Sequence, residues 1–206
     1  RRLVGGILRH IFATSGEEMK RDFEVTGLYY ESNGYKLRKY LDIQRKDCNQ
    51  HIPDLMVVMM NPGSSYPLDG VDNSTNHHLL SQTDYARVLN LSDLRTPDSS
   101  ELYRFLKSDE SASVDHSIFS NNRKKELSQL FIQNTPVIFG WGVNPALIPL
   151  ATQAVESLGI QNPLGMLKPN TVYSYYHPLP RIYQKQLEWV QHVTNQALEQ
   201  KSNYAA

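Results

Sequence analysis

The sequence predicts an α/β protein: a three-layer α/β/α sandwich with a mainly parallel central sheet, preceded by an N-terminal β-hairpin. Three observations predict it. Leu55-Met56-Val57-Val58-Met59-Met60 is apolar without a break, as in a strand buried on both faces. Similar short runs alternate with helical periodicity along the rest of the chain, the pattern of a sheet flanked by helices. Asn33-Gly34, between two β-prone runs, supplies the positive φ angles of a tight hairpin turn.

Residues 1 to 20 read as partly helical, with Gly5-Gly6 as a weak point. Leu3 to Ala13 has a faint likeness to a signal peptide. Arg9 and His10 interrupt it and no small-residue cleavage site follows, so an amphipathic helix or arm fits better. Glu24 to Tyr30 and Tyr35 to Ile43 form the hairpin. It carries Lys36, Arg38, Lys39, Arg45 and Lys46. These read as the charges of a solvated edge strand, with a phosphate-binding patch as the functional alternative.

Cys48 to Pro53 is a polar linker into the central strand, which Asn61-Pro62-Gly63 ends abruptly. Ligands in open α/β sheets bind beyond the carboxyl ends of such strands. Asn61 is therefore a cleft candidate, against the alternative that Asn-Pro-Gly is turn chemistry alone. Tyr66 to Asn76 is a long polar loop followed by His77-His78. No third ligand of suitable spacing accompanies the two histidines, and no metal is expected.

Gln82 to Arg87 reads as a short helix, and Val88 to Ser92 as a second buried strand. Glu101 to Lys107 and Asn121 to Gln133 are helices. Pro136 to Gly142 is a third buried strand ending in a glycine turn. Pro145 to Leu158 is a helix with proline at its first position. Thr171 to Tyr176 reads as a further strand and stops at His177-Pro178. Gln184 to Glu199 closes the chain as an amphipathic helix.

The whole, 1–206, reads as a single domain: an arm and hairpin over 1–50 and the α/β/α core over 53–199. A chain of 206 residues is long enough to bury a real core. Twenty-one basic and 21 acidic residues cancel, so any nucleic-acid surface must be a local patch. A single cysteine, Cys48, excludes an internal disulfide framework and fits a cytoplasmic protein. No apolar run approaches the roughly 20 residues that span a bilayer, so no membrane partner is expected, and the protein is read as a monomer.

Asn61, Asn90 and His177 each follow a strand, and a shared sheet edge would bring them to one cleft. There is no nucleophile paired with a base, no carboxylate pair, and no glycine-rich nucleotide fingerprint. A neutral amide can donate and accept at once, which suits the edge of a planar heterocycle. A histidine can donate to an oxyanion developing on such a ring. Cleavage of an N-glycosidic bond with a nucleobase leaving group would use this equipment. The structural alternatives are that Asn90 merely terminates a strand, that His177 is a satisfied structural histidine, and that Trp141 and the tyrosines are packing.

These residues also carry a family resemblance. Met59-Met60-Asn61-Pro62-Gly63 resembles the first motif of the uracil-DNA glycosylase superfamily, nearest to its mismatch-specific branch. His177-Pro178-Leu179-Pro180 resembles the second motif, with Leu179 where the motif has serine. Asn61-Pro62-Gly63-Ser64, Asn90-Leu91 before Leu94-Arg95, and Trp141-Gly142 together resemble the family of unknown function DUF1643. The glycosylase resemblance implies roles. Asn61 would orient the attacking water and His177 would stabilise the leaving base. Asn90 would read the base edge and Tyr66 would stack on it. Ser64 and Ser65 would bind backbone phosphate, and Arg181 or Ile182 would fill the gap left by a flipped nucleotide. The implied activity is hydrolysis of the N-glycosidic bond of a uracil-type or modified base, without cofactor, on DNA in preference to RNA. A nucleic-acid or nucleotide-binding module without catalysis, and a small-molecule hydrolase or transferase, are the competing readings.

Overall fold

The computed structural model describes residues 23–63, 67–68, 71–72 and 83–204. Seven strands form one mixed sheet: β1 (Phe23–Ser32), β2 (Tyr35–Arg45), β3 (Leu55–Met59), β4 (Pro67–Leu68), β5 (Val71–Asp72), β6 (Tyr85–Asn90) and β7 (Val137–Phe139). Their order across the sheet is β4-β5-β1-β2-β6-β3-β7. The hairpin forms as its Asn-Gly turn requires, with Asn33 and Gly34 both at positive φ.

The sheet is not mainly parallel. Only β3 runs parallel to its neighbours, β6 and β7. The β1–β2, β2–β6, β1–β5 and β4–β5 ladders are antiparallel. The physical reason is the hairpin: it does not stand apart from the core but inserts β2 directly against β6. Consequently β2 is an interior strand and not the solvated edge expected from its lysines and arginines.

Three further expectations change. The stretch expected to be a helix at Gln82 to Arg87 enters β6 at Tyr85, because Tyr85 and Ala86 pair with Gln44 and Ile43. Thr171 to Tyr176 is not a ladder strand; it makes only single bridges, from Tyr175 to Gly142 and Leu167. The helix expected at Asn121 to Gln133 is a short 3₁₀ turn followed by an α-helix that stops at Leu130.

Five α-helices flank the sheet among the described residues: α1 (Ser99–Leu106), α2 (Glu110–Ser113), α3 (Lys124–Leu130), α4 (Ile148–Leu158) and α5 (Tyr183–Tyr204). Asp98 caps α1 by accepting from the Ser100 N–H at 2.8 Å. The strand pleat sends alternate residues of the buried runs to two cores. Met56, Val58, Leu89 and Phe139 pack with Leu102, Phe105, Leu127 and Ala151, from α1, α3 and α4. Val57, Met59, Val88 and Ile138 pack on the other side with Trp189 and Val193 of α5. Among the described residues, one long helix therefore covers a face that three helices cover on the opposite side.

Candidate functional site

The thinly covered face contains a cavity of about 430 Å³ between the sheet and α5. Its walls are apolar, from Leu41, Ile43, Val57, Val88, Ile138 and Val193. At one end it meets the carboxyl ends of β3 and β6, where Asn61, Asn90 and Arg38 line it. At the other end lie Asp54, Thr83 and Asp84, with both carboxylates exposed.

Asn90 follows from the β6 pleat. Ala86 and Val88 point into the α5-side core, so Asn90, two residues on, points the same way. It is fully buried, and neither its Nδ2 nor its Oδ1 has a hydrogen-bond partner among the described residues. A buried amide left unpaired costs about 1–3 kcal/mol, so such groups call for an explanation.

Asn61 lies two residues beyond Met59 and lines the same cavity. Its Nδ2 donates to the carbonyls of Thr96 (2.9 Å) and Leu94 (3.2 Å). These bonds pin the chain that leaves β6 and fix the rotamer of the amide. Its Oδ1 accepts no hydrogen bond among the described residues.

Arg38 reaches the cavity through an irregularity in β2. Leu28 pairs with Tyr40 but Tyr29 pairs with Arg38, leaving Lys39 as an extra residue. Such a bulge re-aims the side chains beyond it. Without it, Leu37 would share the face of Leu41 and Ile43. With it, Leu37 joins the opposite core and Arg38, 3% exposed, lines the cavity. The segment after β6 holds this geometry: the Arg38 N–H donates to Asp93 O and the Arg95 N–H to Lys36 O. Sequence reasoning counted Arg38 only among the basic residues of the hairpin and did not single it out, because a lysine-centred bulge carries no glycine or proline signal.

His177 is not among the residues lining the cavity, but its neighbour Pro178 is. Gly140 makes the approach possible: a Cβ there would meet Pro178 Cδ at 3.0 Å. The segment is also held by Trp189 Nε1, which donates to Tyr176 O at 2.9 Å. The Leu179 N–H donates to His177 Nδ1 at 3.1 Å, so in the neutral ring the proton sits on Nε2. Burial holds the ring neutral, with a pKa lowered to about 4.

Arg181 and Ile182 are exposed just before α5, Ile182 by 57%. Ser64, Ser65, Tyr66 and the histidines His77 and His78 lie outside the described residues. Trp141 is fully buried and donates from Nε1 to Tyr173 O; it is core. Among the described residues no group of three His, Cys, Asp or Glu side chains could hold a metal. No helix of the described residues is long and apolar enough to cross a membrane.

The basic residues of the hairpin do not ring the cavity mouth. Lys39 pairs with Glu126 of α3 at 2.6 Å, on the opposite face. Arg45 pairs with Asp47 and Asp84. Arg38 alone of the five lines the cavity.

The model of the family DUF1643, described as a protein family of unknown function, matches residues 35–179. That is most of the chain, and the protein belongs to this family. No curated protein and no solved structure matches it. The match begins at Tyr35 and ends at Leu179. It spans Arg38, Asn61, Asn90 and His177, but not α5.

Proposed function

We propose that this protein recognises a nucleobase, presented as a nucleotide or as an extruded residue of a nucleic acid, in the cavity floored by Asn90. The unpartnered Asn90 amide carries this reading. A buried donor and acceptor side by side match the edge of a heterocycle that offers a carbonyl beside an N–H. Such a site also discriminates, because a ligand lacking one of those groups leaves the amide unsatisfied. Arg38 adds a guanidinium at the same end for a ring carbonyl or anionic group. The dispersed basic residues of the hairpin favour a single nucleotide unit over a long duplex footprint, which needs many phosphate contacts.

A second reading is hydrolysis of the N-glycosidic bond, as the uracil-DNA glycosylase resemblance implies. The His177 tautomer favours it. A neutral imidazole with its proton on Nε2 can donate to the oxygen of a departing base without first losing charge. Water held on Asn61 Oδ1 would attack C1′ and release a proton to solvent, and the departing base anion, held by His177 Nε2–H, would take one up. The bond from C1′ to the ring nitrogen would break with its electron pair on the base. The parallel β6-β3-β7 segment, with polar residues at its carboxyl ends and helices on both faces, supports placing this chain in the glycosylase-like three-layer fold. Exposed Arg181 and Ile182 suit a loop that fills the space left by an extruded base.

Two assays on one substrate set test both readings. End-labelled single- and double-stranded oligonucleotides would carry uracil, thymine mismatches, hypoxanthine or hydroxymethylcytosine. Binding that Asn90→Leu abolishes supports recognition. Alkali-labile abasic product that His177→Ala and Asn61→Ala abolish supports hydrolysis. Absence of binding to every oligonucleotide and to the corresponding free nucleotides overturns both.

A further inference from the structure

The cavity is larger than a nucleobase needs. A cavity of about 150 Å³ holds one benzene ring, and this one measures about 430 Å³. Both ends are polar, Arg38, Asn61 and Asn90 at one and Asp54, Thr83 and Asp84 at the other; the volume between them is walled mainly by aliphatic side chains. It follows the strands back from their carboxyl ends toward Asp54 and Thr83. The five residues of β3 alone give that path a length of roughly 16 Å.

A close-packed interior rarely leaves such a volume empty. Val57, Val88 and Val193 line it with short side chains, and Ala197 lines the same space from α5. A plain pyrimidine would occupy the polar end and leave the aliphatic walls without contacts.

From this shape, and resting on the recognition reading above, we infer that the preferred ligand is a base carrying an apolar substituent several atoms long. Its heterocycle edge pairs with Asn90, and its substituent lies in the channel between the sheet and α5. Burying the substituent supplies affinity that the small polar end alone does not. The ligand class is thus an N-alkylated or N-arylmethylated nucleobase or its nucleotide.

Calorimetric titration of the intact protein with matched pairs tests this. Uracil and guanine would be compared with their derivatives carrying hexyl or benzyl on uracil N1 or guanine N2, which keep the carbonyl beside an N–H, and decanoate would serve as a tail without a heterocycle. The substituted bases are expected to bind at least tenfold more tightly than their parents. Ala197→Phe, at a half-buried position of α5, and Val193→Trp both fill the channel and are expected to bring that ratio to about one. Ala197 is only half-buried, so Ala197→Phe serves where Val193→Trp fails to fold. Parent bases that bind as tightly as their derivatives would overturn the inference and leave base recognition standing. Decanoate binding with no base or derivative bound would overturn recognition, and the inference with it.

Discussion

Asn90 and Asp93 are three residues apart, both fully buried, and their surroundings differ completely. Asp93 faces the three-helix side. Arg123 Nη1 donates to its Oδ2 at 2.5 Å and the Tyr30 hydroxyl donates to the same oxygen at 3.0 Å. Arg123 Nε donates in turn to Glu126, which also pairs with Lys39. Asp93 Oδ1 and Arg123 Nη2 have no partner among the described residues, but each side chain has partners through its other polar atoms. Asn90 faces the α5 side, has no partner on either amide atom among the described residues, and borders open volume. A polar group buried for structure is surrounded by partners; one buried for a ligand waits beside space. Under the proposed recognition, the contrast separates scaffold from site at a single strand end.

The largest effect that would sharpen the comparison is at Asp93. Asp93→Ala takes one of its two carboxylate partners from the buried Arg123 and leaves the other, Glu126, and is expected to cost about 3 kcal/mol in denaturant unfolding. A cost below about 1 kcal/mol would show that the network is not structural.

Next comes pH. The His177 pKa of about 4 lies below its ordinary value, so the unfolded chain takes up this proton first as pH falls. The contribution is fully present above about pH 6.5 and disappears on descent to about pH 4. It amounts to the order of 2 kcal/mol once partial exposure is allowed for. Asp93 opposes it: burial pushes its carboxyl up to about 7 against the pull of Arg123. Its share of stability therefore declines as pH rises through that range. The difference between wild type and His177→Gln in melting temperature from pH 4 to 7 isolates the histidine. An unchanged slope in the variant would show that its ring is not held neutral.

Gly140→Ala places a Cβ against Pro178 and is expected to cost about 1–2 kcal/mol. It moves the His177-Pro178 segment, so any glycosidic cleavage is expected to fall further than stability does. Equal losses in the two would argue against a positioning role for Gly140.

The smallest effect has the opposite sign. Asn90→Leu removes an unpaired amide beside apolar walls, and is expected to stabilise the ligand-free protein by about 1 kcal/mol.

Much of this arrangement was legible in the sequence. The unbroken run at Leu55 to Met59, the Asn-Gly turn, and the polar residues closing β3 and β6 follow from local chemistry. So does the placing of Asn61 and Asn90 together, since adjacent parallel strands end at one edge. The rest depends on non-local pairing. That β2 lies inside the sheet is decided by β6, some forty residues away. The Lys39 bulge exists because Leu37 and Arg38 must face opposite cores, a demand absent from the local sequence. Tyr85 to Arg87 has polar flanks that favour helix, yet its backbone completes the β2 and β3 ladders. Thr171 to Tyr176 has strand-forming tyrosines but finds bridges only at Tyr175. The cavity itself is a property of how α5 sits, which periodicity does not reveal.

The most direct test compares thermal unfolding of wild type and Asn90→Leu, each alone and with saturating nucleobases and nucleotides, substituted and plain. A ligand site at Asn90 predicts that the variant melts higher than wild type when alone, and that ligand raises the melting temperature of wild type only. A variant that melts lower and still responds to the same ligand would contradict it, and would make Asn90 a structural residue.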